Sequence, residues 1–142
     1  MGCESLLFNL IFYSLADFVC RIHIASCKNI NTVIVLFNKL NLKILHLLNI
    51  EGFIENFRIF SNFILIFLRY VYLNMFMIFK YIKILSTPAR RIFFNIKNLF
   101  KSFSYRNFSG LFLLSSSKGL ITSTDALLKL HTAGEAFLKL FI

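Results

Sequence analysis

The chain has 142 residues, enough for one domain or two small lobes. It is 58% apolar with a mean hydropathy of +0.74, yet its net charge is +10 and its pI near 9.9. The longest stretch without a charge is Ser5 to Ala16, 12 residues. A spanning helix needs about 18 to 20, so the charge spacing argues against a membrane span. High apolarity with high basicity suits a protein whose surface is covered by partners, as in a large RNA–protein assembly.

Leu15, Phe18 and Ile22 continue a helical spacing from Leu6, Leu7, Leu10 and Ile11 and predict a helix over about 5–26. Asp17 and Arg21 support it as an acid-first i,i+4 pair. "NTVIVLF" at 31–37 is β-branched and short, a strand. Asn38 then caps a second helix over 39–51, which Gly52 stops. "FIENFRIF" at 53–60 partly alternates and reads as a strand. The runs 63–73 and 75–85 read as a hairpin hinged near Asn74. "STPARR" at 86–91 holds the one proline and marks the lobe boundary, giving lobes 1–86 and 87–142.

Beyond it "RIFF" is a short strand and "KNLFKSF" a helical turn. "LFLLS" at 111–115 and "GLIT" at 119–122 form a strand and its return. Thr122 or Ser123 caps a helix over about 123–131, with Asp125 near its positive end. Gly134 stops it and "EAFLKLFI" closes as a strand. The fold class is α+β in two small lobes: an N-terminal α-β-α-β-β-β lobe and a β-rich C-terminal lobe with one helix.

Enzyme chemistry is poorly supplied. There are six acidic residues, and Glu51 and Glu55 flank a glycine turn. His23, His46 and His131 are scattered, and no G-x-S-x-G elbow surrounds the serines at 115–117. The phosphate-loop pattern is missing too. Cys3, Cys20 and Cys27 have no metal-type spacing and read as free thiols in a reducing compartment. The start "MGCESLL" has Leu6 where acylation at Gly2 wants Ser or Thr. No enzyme activity, metal or cofactor is expected.

The basic signal is stronger. From Asn56 to Thr124 there is no acidic residue, while ten are basic: Arg58, Arg69, Lys80, Lys83, Arg90, Arg91, Lys97, Lys101, Arg106 and Lys118. Phe93, Phe94, Phe100, Phe103, Tyr105 and Phe108 lie among them. Cations neutralise phosphates and flat rings stack on unpaired bases, so the span predicts a polyanion surface. Within it "SSSKG", 115–119, offers hydroxyls for base edges and the 2′-OH, a cation at Lys118, and a permissive backbone at Gly119. A plain polar hairpin turn has the same make-up.

Five blocks carry a resemblance. "GLFLLSSSKGLITSTDA" at 110–126 resembles the signature of the small-subunit ribosomal protein number eight family, of bacterial and organellar type. "LADFVCRI" at 15–22, "EGFIENF" at 51–57, "STPARRIF" at 86–93 and "AGEAFLKLFI" at 133–142 are similar to its other blocks, in family order from about residue 13. Ser116 stands for a usual Thr, Leu127 for a common basic residue, Phe93 for Tyr, Ala89 for Gly and His23 for Arg, with one extra residue between Thr122 and Glu135.

The resemblance implies a structural rRNA-binding protein of the small subunit, contacting the central domain of its rRNA, with neighbouring small-subunit proteins as partners. It expects no lipid bilayer and no stand-alone homo-oligomer. By position, Ser115, Ser116, Ser117, Lys118 and Gly119 would read RNA, Glu135 would support that face, Phe93 would stack, and Arg90, Arg91, Arg21 and His23 would contribute basic contacts. The excess of Phe, Ile, Asn and Lys, with a single Pro and no Trp, points to an AT-rich organellar genome. No Arg-rich transit segment precedes the fold. The expected place is therefore the mitochondrial matrix, ahead of a plastid. The rival readings are a small basic organellar membrane protein and a serine-nucleophile enzyme.

Overall fold

The structure is a computed structural model that describes residues 2–71, 76–77, 81–87, 89–104, 110–130 and 134–141. Helix α1 (Gly2–Lys28) buries Leu15, Phe18, Val19, Ile22 and Ala25, a stripe at helical spacing. It ends where Asn29 turns left-handed, at φ 54°, and Ile30 N–H donates to the Ala25 carbonyl. That is a Schellman stop with Asn in the usual place of Gly. It lies two residues beyond the expected end at 26, because Asn29 supplies the stop.

Strand β1 (Thr32–Leu36) follows, then α2 (Lys39–Ile50). The Asn38 side chain accepts from Leu40 N–H, as its sequence position predicts. Gly52 ends α2 at φ +84°, with Phe53 N–H donating to the Leu48 carbonyl. β2 (Ile54–Ile59) and β3 (Phe63–Leu68) complete a three-stranded antiparallel sheet in the order β1-β3-β2. Val33, Val35, Ile64, Ile66 and Leu68 point to the buried face. The outward face stays apolar: Ile34 is 52% and Leu36 60% exposed, and Phe60 stacks on Phe63. Arg58 lies over the Phe67 ring there. Sheets with one wet face usually alternate polar outward.

The short strands β4 (Tyr70–Val71) and β5 (Phe76–Met77) pair with each other. The expected hinge at Asn74 lies outside the described residues. The Tyr70 hydroxyl donates to the Ala25 and Ile30 carbonyls, tying β4 to the end of α1. Burial raises its phenol pKa above the ordinary value of about 10. A raised folded pKa means stability that is present below pH 10 and lost as pH rises through the folded value. Tyr70→Phe should cost about 1 kcal/mol at neutral pH and remove that alkaline loss. Urea melts of both proteins from pH 8 to 12 check this; parallel profiles would refute it.

The chain divides into two units, Met1–Lys80 and Tyr81–Ile142. The sequence places the boundary at 86. The six residues of difference come from β6 (Tyr81–Ile84), which pairs with the last strand of the second unit and so does not close a hairpin with 63–73. The second unit continues with β7 (Phe93–Phe94), α3 (Ile96–Ser104), β8 (Gly110–Ser116) and β9 (Gly119–Thr122). A helical turn α4 (Ser123–Asp125) runs on as π-helix over Ala126–Leu130, and β10 (Gly134–Phe141) ends the unit. The sheet order is β6-β10-β8-β9, with β7 also on β10. Leu99, Phe112, Leu114, Ile121, Ala126, Leu127 and Ala136 form its helix-side core, with Leu85, Phe94 and Ile96 at the edge. Ile96 and Leu99 pack there, so α3 is a nine-residue helix where the sequence suggests a turn. Among the described residues no helix is long and apolar enough to cross a membrane.

Candidate nucleic-acid interface

The serine turn is built by strand pairing. Ser116 pairs with Gly119, and Ser117 and Lys118 form the tip. Neither tip residue has positive φ, whereas Gly119 sits at φ +100°. An ordinary turn followed by a left-handed residue restores the twist the strands need, and glycine takes that backbone without strain. The Ser116 hydroxyl braces the loop: it accepts from Lys118 N–H at 3.2 Å and donates to the Gly119 carbonyl at 3.3 Å. Ser117, Lys118 and Gly119 are exposed and nothing lies within 4 Å of a Cβ built on Gly119. Ser116 thus shapes the loop while Ser117 and Lys118 face outward.

Register brings three more predicted residues beside it. Phe93 pairs with Glu135, and Glu135 pairs with Ser115. Directly opposed residues share a face, so Phe93, Glu135 and Ser115 form a row across β7, β10 and β8. Their neighbours Phe94, Ala136 and Leu114 point the other way into the core. Phe93 is 64% exposed, free to offer its ring. Glu135 accepts from the Ser86 hydroxyl, which in turn accepts from Ile92 N–H. The carboxylate therefore positions the 86–92 segment against β10. Ala136 N–H adds a bond to the Ile92 carbonyl at 2.9 Å.

Arg90 and Arg91 are exposed at the end of that segment. Thr87 and Arg90 close a turn by two backbone bonds, and the Thr87 hydroxyl also bonds Arg90. The loop, the ring and this arginine pair thus belong to one unit. Arg21 and His23 sit on α1 of the other unit. Arg21 donates to Asp17 at 2.9 Å and to the Ile34 carbonyl at 3.2 Å, which ties α1 to edge strand β1. His23 lies 3.8 Å from the Cys27 sulfur. Lys80, Pro88, Tyr105, Arg106, Phe108 and His131 lie outside the described residues, as does the end of the segment with the extra residue. Among the described residues no three His, Cys, Asp or Glu gather as a metal site.

Two residues escape the sequence reading. The sequence assigns Gly134 only a helix stop. A Cβ built on it would lie 2.0 Å from the Ser115 carbonyl oxygen and 3.1 Å from the Ser116 Cα. Its missing side chain lets β10 approach the serine strand. Ser86 reads as part of a breaker and as the first residue of the "STPARRIF" block, with no role of its own, yet it is 4% exposed and holds Glu135. The Gly-Glu dipeptide beside a predicted strand is the one local signal for the first; for the second the residues signal only a place in a family-like block, not its partner Glu135.

The family model described as Ribosomal protein S8 matches residues 14–141. The chain belongs to the S8 family. The small ribosomal subunit protein uS8 of Wolbachia sp. subsp. Brugia malayi is 32% identical over 130 residues, covering 90% of this chain and 96% of that protein. The uS8 of Borrelia garinii subsp. bavariensis is 32% identical over 120 residues, covering 82% and 88%. The uS8 of Borreliella burgdorferi strain ZS7 is 31% identical over the same share. This S8-family chain is a structural protein of the small ribosomal subunit and acts in translation, without enzyme activity. The resemblance read from five short blocks, starting near residue 13, agrees with the matched span.

Proposed function

We propose that this chain is the mitochondrial S8-type protein and holds the central domain of small-subunit rRNA, supporting subunit assembly and translation in the matrix. The observation that carries the reading is the row Phe93–Glu135–Ser115 next to the outward Ser117–Lys118 tip. It sets an aromatic ring, hydroxyls and a cation on one unit, the groups needed to stack, read the 2′-OH and neutralise phosphate. Neighbouring small-subunit proteins are the second class of partner. The apolar outward face of the first sheet suits them better than it suits RNA. Mitochondrial residence rests on composition: the Phe-rich, Pro-poor bias and the apolar total.

An in-organelle RNA crosslinking map tests the proposal. Crosslinks from the second unit should cluster in the central domain of the small-subunit rRNA, and a cluster elsewhere would sink it. Ser117→Ala should cost on the order of 1 kcal/mol of binding for each hydrogen bond removed, more where an RNA group is left buried and unpaired. If Ser117→Ala and a loop with Lys118 neutralised both bind a central-domain transcript as tightly as the native chain, the loop does not read RNA.

A further inference from the structure

We propose that the outward face of the first sheet seats an apolar segment of a neighbouring small-subunit protein, one that sets a carboxylate against Arg58. The inference rests on the reading of such proteins as partners and adds the face, the chemistry of its occupant and the residue that selects it.

Register fixes the face. Ile34, Leu65 and Arg58 are directly opposed across β1, β3 and β2. Leu36 opposes Phe63, and Phe63 stacks on Phe60 with ring centres 4.7 Å apart. Opposed residues share a face, so these form two rows on the reverse of the buried side. Ile34, Leu36, Phe60 and Phe63 are all exposed. Of the directly opposed residues on this face, Arg58 alone is charged. Glu55 lies at the register shift between Ile54 and Asn56, outside the rows.

Each edge of the sheet already has a backbone group taken. On β1 the Ile34 carbonyl accepts from Arg21 at 3.2 Å. On β2 the Phe60 N–H bonds the Phe63 carbonyl, so alternation turns the Phe57 backbone to the open side. There its N–H donates to the Asn56 side chain at 2.8 Å. A strand added at either edge would displace one of these bonds, and the face is what a partner finds open.

Charge selects the occupant. The Arg58 guanidinium carbon lies 5.8 Å from the Phe67 ring centre, which holds a cation on the apolar face. RNA backbone is held by several cations, and these rows have one. A second copy of the chain would bring another arginine from the same rows and no acid. A cover without an acid would bury the cation unpaired. A segment with aliphatic side chains and one carboxylate answers both the rows and Arg58, and the charge pair sets its register.

The test uses small subunits assembled with the full chain, carrying a photoreactive phenylalanine at position 63 or, separately, at position 93. The probe at 63 should crosslink a protein segment that holds Asp or Glu among aliphatic residues. Arg58→Glu should lower that yield by about tenfold or more, because like charges then meet in a desolvated contact. Arg58→Lys should keep most of it, and reversing the crosslinked carboxylate to Arg in the partner should restore it to Arg58→Glu. The probe at 93 should crosslink central-domain rRNA in the same Arg58→Glu particles, which shows that the variant is folded and incorporated. Crosslinks from 63 to rRNA, to lipid or to a second copy overturn the inference, as does a yield that Arg58→Glu leaves unchanged. If the probe at 93 then still finds rRNA, the RNA reading stands and this contact alone falls. If the probe at 63 finds its acidic segment while the probe at 93 finds no rRNA, the contact stands and the RNA reading has failed.

Discussion

Affinity of the native chain for a central-domain transcript should fall by about three to five decades between 50 and 200 mM salt, if six to ten phosphates are neutralised. The expectation comes from the charge distribution. Sixteen Lys and Arg face six acids, and the span from Asn56 to Thr124 has no acid. Arg21, outside that span, is paired with Asp17. Binding by phosphate neutralisation releases counterions, and added salt opposes that release. Filter binding or fluorescence anisotropy across the salt range reads the slope directly. A slope near zero would mean that apolar and hydrogen-bonded contacts carry the affinity, and the basic span would then be a solvated face.

Gly134→Ala should destabilise the second unit by about 1–3 kcal/mol, the usual cost of forcing extra volume into a packed site. The added methyl would sit 2.0 Å from the Ser115 carbonyl oxygen and 2.8 Å from its carbon. Both are backbone atoms, so neither can swing aside as a side-chain tip would. Either β10 moves away from β8, or Ser115 and Ser116 move with the loop that follows them. RNA affinity should therefore drop together with stability, although Gly134 offers no group to RNA. Urea unfolding and amide exchange of Ser115 and Ser116 would show both effects. A variant with native exchange at those amides would mean that the close approach has no role.

Some of this is legible from the residues. The cap at Asn38, the stop at Gly52 and the serine turn with Gly119 are each local: the deciding atoms lie within about four residues of one another. The sequence reading of those elements matches the structure to within one or two residues. The helix over 123–131 is half legible. Thr122 caps it as expected, accepting from Asp125 N–H, but its continuation over Ala126–Leu130 widens to a π-helix. No local pattern announces that. The hairpin of 63–73 with 75–85 is legible at its hinge end, where Tyr70 and Val71 pair with Met77 and Phe76, but β6 at the far end finds its partner in β10, more than fifty residues on.

The sequence by itself determined the family, the basic acid-free span and the residues of the loop. Their chemistry and short-range spacing do not depend on what they pack against. Tertiary structure alone decided the rest. It set Phe93 and Glu135 beside Ser115, gave Glu135 to Ser86 across 49 residues, and used one bulge to turn Lys139 away from Glu135 toward Lys83. The physical reason is strand register. Side chains alternate with a period of two, so a single residue of slip reverses every face. Which register wins is settled by the whole sheet and its core, not by the segment.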